Sequence, residues 1–391
     1  MFGKFKRIVL AGLTSMALVG CAVVPGADTT YGDSGPVMSD NGASDVPAPS
    51  ADMLPQDSER HRVALLVPLT GPNSEVGQSI ANATTMALLD TGAQNLRITT
   101  YDTASDAGAA ARRAVADGNG LILGPLMRDN VAAVSAEARP ADVPIITFSN
   151  DTSVARNDVF VLGHIPEQSV ARTVNFAIDE GAQRFAVLAP RGDYGNRTLG
   201  ALEQVVSARG RQVVAVERYD RSNTSILSAA DRLQAAGPFD TVLIADGARL
   251  AAMAASRLKT AGDALPSLIG TELWSREDDL TRNASMRGAW FAAVPEARYR
   301  QFADSYASRF GAEPFRVATL GYDAVLLTLR LTRDWRPGRE LDPRLLTDEG
   351  GFLGLDGPFR FEENGVGQRA FEVRQIGNGT FTVVDPAQTA F

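Results

Sequence analysis

The sequence predicts an α/β protein of two lobes, each a parallel sheet flanked by helices. From Arg62 onward, apolar runs of strand length alternate with amphipathic helical stretches, and this happens in two successive series of similar size. The runs are apolar throughout, as in strands covered by helices on both faces. The region they occupy, roughly 330 residues, exceeds what a single hydrophobic core usually holds.

In the first series, "VALLVPL" reads as a buried strand, and Ser74 starts a helix that puts Val76, Ile80, Ala83 and Ala87 on one stripe and ends near Gly92. "LRITTYD", an Ala-rich helix from Asp106 to Asp117, "GLILGP", a helix from Asp129 to Arg139 stopped by Pro140, and "VPIITFS" continue the alternation. The second series runs "RFAVLAP", a helix from about Asn196 to Arg209, "QVVAVERY", a helix from about Thr224 to Ala236, "DTVLIAD", a helix from Arg249 to Gly262, and "SLIGT". "GAWFAAVP", helices over about Glu296 to Phe310 and Val317 to Arg333, and a β segment with an Asn378-Gly379 hairpin turn complete the chain.

Ahead of this region, Lys4, Lys6 and Arg7 precede an apolar segment from Ile8 to Gly20, the length of a signal-peptide core and too short to span a bilayer. It ends at Cys21, the one cysteine in 391 residues, so a disulfide within the chain is excluded. Leu18-Val19-Gly20-Cys21 resembles the bacterial lipobox, which implies residues 1–20 as signal peptide and a lipid on Cys21. By the sorting rule of such lipoproteins, Ala22 implies the outer membrane. Residues 21–60 are rich in Pro, Gly, Ser and Asp and read as a disordered tether, with a root-mean-square reach of about 35 Å and an extended reach of about 130 Å.

Without the three leader cations, 35 basic side chains face 46 acidic ones, a net charge of −11 that disfavours nucleic acid. His61 and His164 are the two histidines, too few for a His-dependent triad or a zinc site. The phosphate-loop, zinc-protease and dinucleotide fingerprints are missing, and Asp278-Asp279 and Glu362-Glu363 sit in polar surroundings. The chain reads as a binding protein with no enzymatic activity, cofactor or metal.

In open α/β sheets a ligand lies beyond the carboxyl ends of the strands. Those positions are Thr70, Gly124 to Arg128, Thr147 to Asn150, Tyr194, Asp246 and Thr271-Glu272. A receptor for a small amino-acid-like ligand would use Thr147, Ser149 and nearby amides for the carboxylate, and Glu272 or Asp246 for the ammonium.

The order of elements resembles the type I periplasmic-binding fold, in its leucine/isoleucine/valine-receptor branch. That resemblance implies passages between lobes near 163–166, 294–296 and 350–351. Lobe 1 is then 61–165 and 296–349, and lobe 2 is 166–295 and 350–391. Where amino-acid receptors of this branch place serines after the third strand, this chain has Met127 and Arg128. Arg128 either binds a carboxylate itself or pairs with Asp129 or Glu272 and closes the crevice.

"GPLMRDNV" is similar to the G-P-L-x-[KR]-x-N-V turn of the penicillin-binding protein activator family. "PEQSVAR" resembles that family's P-E-x-x-A-R stretch with one residue more between Glu167 and Ala171, and "PRGDYGNR" resembles its P-R-x-x-x-G-x-R stretch, in the same order. The match falls on Pro125, Leu126, Arg128, Asn130, Pro166, Glu167, Arg172, Pro190, Arg191, Gly195 and Arg197. It implies an outer-membrane lipoprotein, facing the periplasm, that stimulates a class A penicillin-binding protein in cell-wall synthesis. Well-known members carry a helical-repeat domain ahead of this fold, and here the short tether stands in that place. The second reading is a substrate-binding lipoprotein of an ABC importer for amino acids.

Overall fold

The computed structural model describes residues 59–391 apart from 222–223, 260–264 and 276. Cys21, Ala22, the signal peptide and nearly all of the tether lie outside the described residues.

The first sheet is all parallel, in the order β2-β1-β3-β4-β5. Its strands are β1 (His61–Val67), β2 (Leu96–Asp102), β3 (Leu121–Leu123), β4 (Ile145–Thr147) and β5 (Val159–Val161). Strand side chains alternate between faces. Val63, Leu65 and Val67 therefore pack on one core with Ile80 of α1 (Ser74–Thr91), while Ala64 and Leu66 meet α2 (Ala107–Ala116) and α3 (Arg128–Ala138) on the other. Asp106 caps α2 by accepting from the Ala109 amide, and Gly92 ends α1 in a left-handed conformation.

The second series begins with α4 (Pro166–Asp179), followed by β6 (Arg184–Pro190), α5 (Asp193–Ala208), β7 (Gln212–Tyr219), α6 (Ser225–Ala235), β8 (Thr241–Ile244), α7 (Ala248–Leu258) and β9 (Ser267–Gly270). A single turn, α8 (Asp279–Arg282), leads to β10 (Trp290–Ala293). Helix α5 starts three residues before the expected Asn196, which brings Asp193 onto its first turn. Gly195 lets that turn sit on the strand end, since a Cβ there would fall 1.8 Å from the Pro190 carbonyl oxygen. Phe185, Val187 and Ala189 of β6 pack under α4 and α5, and Ala186 and Leu188 under α6 and α7.

Helices α9 (Ala297–Phe310) and α10 (Thr319–Leu331) return to the first sheet. Tyr299, Phe302 and Tyr306 join Met86 of α1, and Leu320, Ala324 and Leu327 join the β1 core. Then β11 (Phe352–Gly354), β12 (Gly357–Phe361) and β13 (Gly367–Arg369) form a small antiparallel sheet.

Residues 350–369 were expected in lobe 2. Phe352, Phe359 and Phe361 instead enter the core of the first sheet, and Val161 bridges Val366. Buried phenylalanines decide the placement, and the final passage between lobes falls at Ala370-Phe371. Beyond it, β14 (Glu372–Ile376) and β15 (Phe381–Asp385) add antiparallel to β10, joined by the turn at Asn378-Gly379. The second sheet is thus mixed, in the order β15-β14-β10-β9-β8-β6-β7.

Candidate functional site

Residues that follow β1, β3 and β4 line one wall of a crevice of about 620 Å³, and residues that follow β6, β9 and β10 line the other. On the first wall, the Gly124–Pro125 peptide is cis and Gly124 has φ +101. A Cβ on Gly124 would fall 2.1 Å from the Leu66 carbonyl oxygen, so the turn after β3 admits only glycine there. The turn presents Leu126, Met127 and Arg128 to the crevice.

Arg128 resolves the alternatives left open by the sequence. Its Nη1 lies 2.5 Å from Asp151 Oδ2, its Nε 3.1 Å from Asp129 Oδ1, and its Nη1 4.0 Å from Asp193 Oδ2 across the crevice. Burial raises the pKa of the Asp151 carboxyl, but Ser153 and then Arg128 outweigh it and hold that carboxyl below its ordinary value.

Arg197 on α5 grips Glu167 at the start of α4 through two bonds, Nε to Oε1 at 2.6 Å and Nη2 to Oε2 at 2.7 Å. Its Nη2 also donates to the Asn150 carbonyl at 2.7 Å, on the opposite wall. Stretches some 30 to 50 residues apart in sequence therefore meet at one guanidinium.

Glu272 lies on the second wall. The Tyr194 hydroxyl, 3.0 Å from its Oε1, backs it and also lies 2.8 Å from Thr271 Oγ1. Glu272 Oε2 is buried without a hydrogen-bond partner, and burial pushes the carboxyl up to about 7. Ser149 and Asn150 also line the crevice.

Three candidates lie elsewhere. Thr147 is fully buried and its hydroxyl donates to the Pro125 carbonyl at 2.7 Å, so it braces the turn and has no donor for a ligand. Thr70 donates to Asp102, and Asp246 accepts from Tyr219 and Arg221 away from the crevice. Pro166 opens α4 at its first turn, and Arg172 pins the last passage by donating to the Phe371 carbonyl and pairing with Asp385. Arg191 is exposed beside Asp220, and the Asn130 amide closes the first turn of α3 on the Met127 carbonyl.

The sequence reading missed Asp151, Asp193 and Arg316, which also line the crevice. For Asp193 the signal was present, as an acid in the first turn of a helix whose start was placed too late. Below the crevice, fully buried Asp356 accepts from His164 Nε2 at 2.8 Å, Arg316 Nη2 at 2.6 Å and Thr319 Oγ1 at 2.7 Å. Burial opposes that charge, and the Arg316 guanidinium outweighs it, holding Asp356 well below the usual carboxylate range. Beside it, Arg369 pairs with buried Asp323, and Arg374 pairs with Glu296 and Glu372, so all three passages between lobes carry a member of one ionic cluster. Among the described residues there is no cluster of metal-ligating side chains and no helix long and apolar enough to cross a membrane.

Comparison with known proteins places this geometry. The Rhodospirillum rubrum structure titled a putative branched-chain amino acid ABC transporter superposes with a TM-score of 0.73 at 20% identity, covering 83% of this chain and all of that one. The leucine binding protein LivK of Thermotoga maritima superposes with a TM-score of 0.59 at 20% identity, covering 84% and 98%. Among curated sequences, the penicillin-binding protein activator LpoA of Pectobacterium parmentieri is 25% identical over 212 residues, 54% of this chain and 28% of that protein. The uncharacterized protein RP748 of Rickettsia prowazekii is 27% identical over 176 residues, 44% and 47%. The chain spans less than half the length of the curated relatives it matches. The fold is the two-lobed type I periplasmic-binding architecture, and the family pattern described as periplasmic binding protein matches residues 61–380. The chain therefore belongs to the periplasmic binding protein family.

Proposed function

We propose that this protein is a lipid-anchored, non-enzymatic activator of a class A penicillin-binding protein, held at the outer membrane through Cys21 and facing the periplasm. The observation that carries the reading is the junction at Arg197. There the activator-family stretches around Glu167 and Arg197 lock together and reach across to Asn150, beside the Arg128 turn. Residues shared with that family are thus spent on fixing how the two walls stand, as a surface that must fit a partner requires. The LpoA relatives support the partner class.

Two experiments test it. The purified protein should retain a class A penicillin-binding protein at micromolar concentration and raise its glycan-polymerising or cross-linking rate, and absence of both effects refutes the reading. Cys21→Ser should abolish labelling by an alkynyl fatty acid and release the protein from the outer-membrane fraction.

The pairing of Tyr194 and Glu272 favours a second reading, a substrate-binding lipoprotein of an ABC importer, in which this carboxyl receives the ammonium of an amino acid. The leucine-binding structural relatives support that reading. Saturation at 100 times the dissociation constant would stabilise the protein by about 2.7 kcal/mol, and a flat melting profile across the amino acids refutes it.

A further inference from the structure

The five strands of the first sheet all run the same way, so the crevice at their carboxyl ends has an opposite face at their amino ends. The loop that follows α10, residues 332–342, covers that face. Trp335 stacks on His61 at the start of β1, with ring centroids 4.4 Å apart, and a Cβ on Gly120, just ahead of β3, would fall 2.8 Å from its Cζ2. The Trp335 indole donates to the Arg339 carbonyl at 2.7 Å, and Asn95, just ahead of β2, donates to Thr332 Oγ1 at 3.0 Å. Residues 340–344 line a groove with Val143 and Pro144, ahead of β4, and with Asp158, ahead of β5. The loop is thus fixed from beneath, and its tip at Pro337-Gly338 is exposed.

Arg333, Arg336 and Arg339 belong to this loop. All three are exposed, and none makes a side-chain hydrogen bond or ion pair with another described residue. Neighbouring cations are answered: Arg330 by Asp334 and Asp348, Arg344 by Asp342, and Arg139 by Asp158. Over residues 330–344 five arginines stand against Asp334, Glu340 and Asp342, in a chain whose net charge beyond the leader is −11. The chain enters the fold at this same face, since His61 opens β1 and residues 21–60 lead back from it to Cys21.

We infer that this face docks on an anionic lipid surface, that of the membrane holding Cys21, with the guanidinium groups of Arg333, Arg336 and Arg339 against its phosphates. The inference rests on the lipid anchor of the first reading above and is independent of what the crevice binds. At physiological ionic strength charges are screened over about 8 Å. The membrane therefore feels the loop that touches it and not the acids elsewhere on the body, and a protein of net negative charge binds an anionic surface through one basic face. Arginine suits phosphate because its planar fork offers paired donors. Docked in this way, the body turns its crevice and the Arg197 junction away from the bilayer, and the reach of residues 21–60 comes into use only when the dock is released.

The mature lipoprotein, reconstituted in vesicles through its anchor, tests it by energy transfer from a dye on Pro337→Cys to an acceptor on the lipid headgroups, with Met127→Cys at the crevice rim as the comparison site. Acylation of Cys21 leaves the introduced cysteine as the one free thiol. Transfer from residue 337 should be higher in vesicles containing a third phosphatidylglycerol than in phosphatidylcholine alone, and higher than from residue 127. It should fall to the phosphatidylcholine level at about 1 M salt, where screening acts over about 3 Å. Arg333→Gln, Arg336→Gln and Arg339→Gln should each lower the ratio of docked to undocked protein by about fivefold, the equivalent of about 1 kcal/mol for one basic side chain at an anionic surface. Arg249→Gln, Arg282→Gln and Arg300→Gln together remove as much charge elsewhere and should leave that ratio unchanged; an equal loss overturns the inference. Protein that washes off phosphatidylcholine vesicles refutes the anchor, and the docking with it. Protein that stays on, with equal transfer in both kinds of vesicle, refutes the docking alone. Retention on isolated sacculi through the three loop arginines, with no approach to the vesicles, assigns them to an anionic wall polymer and overturns the inference as well.

Discussion

Glu272 makes the stability of this protein depend on pH in a direction opposite to that of an ordinary salt-bridged acid. Its carboxyl titrates near 4.5 in the unfolded chain and at about 7 in the folded one, chiefly because burial disfavours the charge. Below 4.5 both states are protonated and the contribution is whole. As pH rises the unfolded chain ionises first, and the contribution is lost until the folded carboxyl ionises too. With about 1.4 kcal/mol for each pKa unit, raising the pH from 5 to 8 removes about 2.5 kcal/mol through this group alone. Glu272→Gln keeps the size and the Tyr194 contact and abolishes the titration. Urea unfolding of wild type and variant at both pH values isolates the effect, because every other titrating group cancels in the difference of differences. The variant should gain about 2.5 kcal/mol relative to wild type between pH 5 and pH 8. Parallel pH profiles would refute the claim that burial, unrelieved by a partner for Oε2, sets this carboxyl.

Further outcomes concern the frame. Asp356→Asn removes the charge that answers the part-buried Arg316 guanidinium and should cost about 1–3 kcal/mol by chemical denaturation. Arg197→Ala should lower stability by about 1.5–3 kcal/mol and broaden the distribution of distances between spin labels on the two lobes, and Arg197→Lys, lacking the fork that holds Glu167, should not restore it. Gly195→Ala, whose Cβ would fall 1.8 Å from the Pro190 carbonyl oxygen, should lower the melting temperature by several degrees, a cost of about 1–3 kcal/mol. Trp274 is fully buried and donates to the Asp246 carbonyl, so Trp274→Ala should cost about 3–5 kcal/mol.

Most of the framework was legible because local signals agree with one another. Continuous apolar runs such as "RFAVLAP", Asp106 before an alanine-rich stretch and Gly92 after a stripe of small apolar residues each mark one boundary, and the tertiary structure respects them. The allocation of 350–369 was not legible, since β segments read alike wherever they dock. Only the burial of Phe352, Phe359 and Phe361 against the β1 core decides it. In the crevice, position beyond the strand ends found Arg128, Ser149, Asn150 and Glu272. It also selected Thr147, because a hydroxyl facing a neighbouring carbonyl and one facing a ligand carry the same letter. Asp151 escaped because its importance comes from a guanidinium reached through space, and Asp193 because the start of its helix was placed three residues too late.

The late arrival of β14 sets an order of assembly. Strand β10 is complete at Ala293, but the partner for its free edge, paired as Trp290 with Gln375 and Ala293 with Glu372, follows some 80 residues later. While the chain emerges, that edge offers unpaired amides and carbonyls to any other strand within reach. The second lobe can close only after the first has been revisited and the last hairpin delivered. Folding is then governed by a long-range pairing, which is slow and vulnerable to aggregation. A nascent chain stopped before residue 372 is the species a chaperone would have to shield.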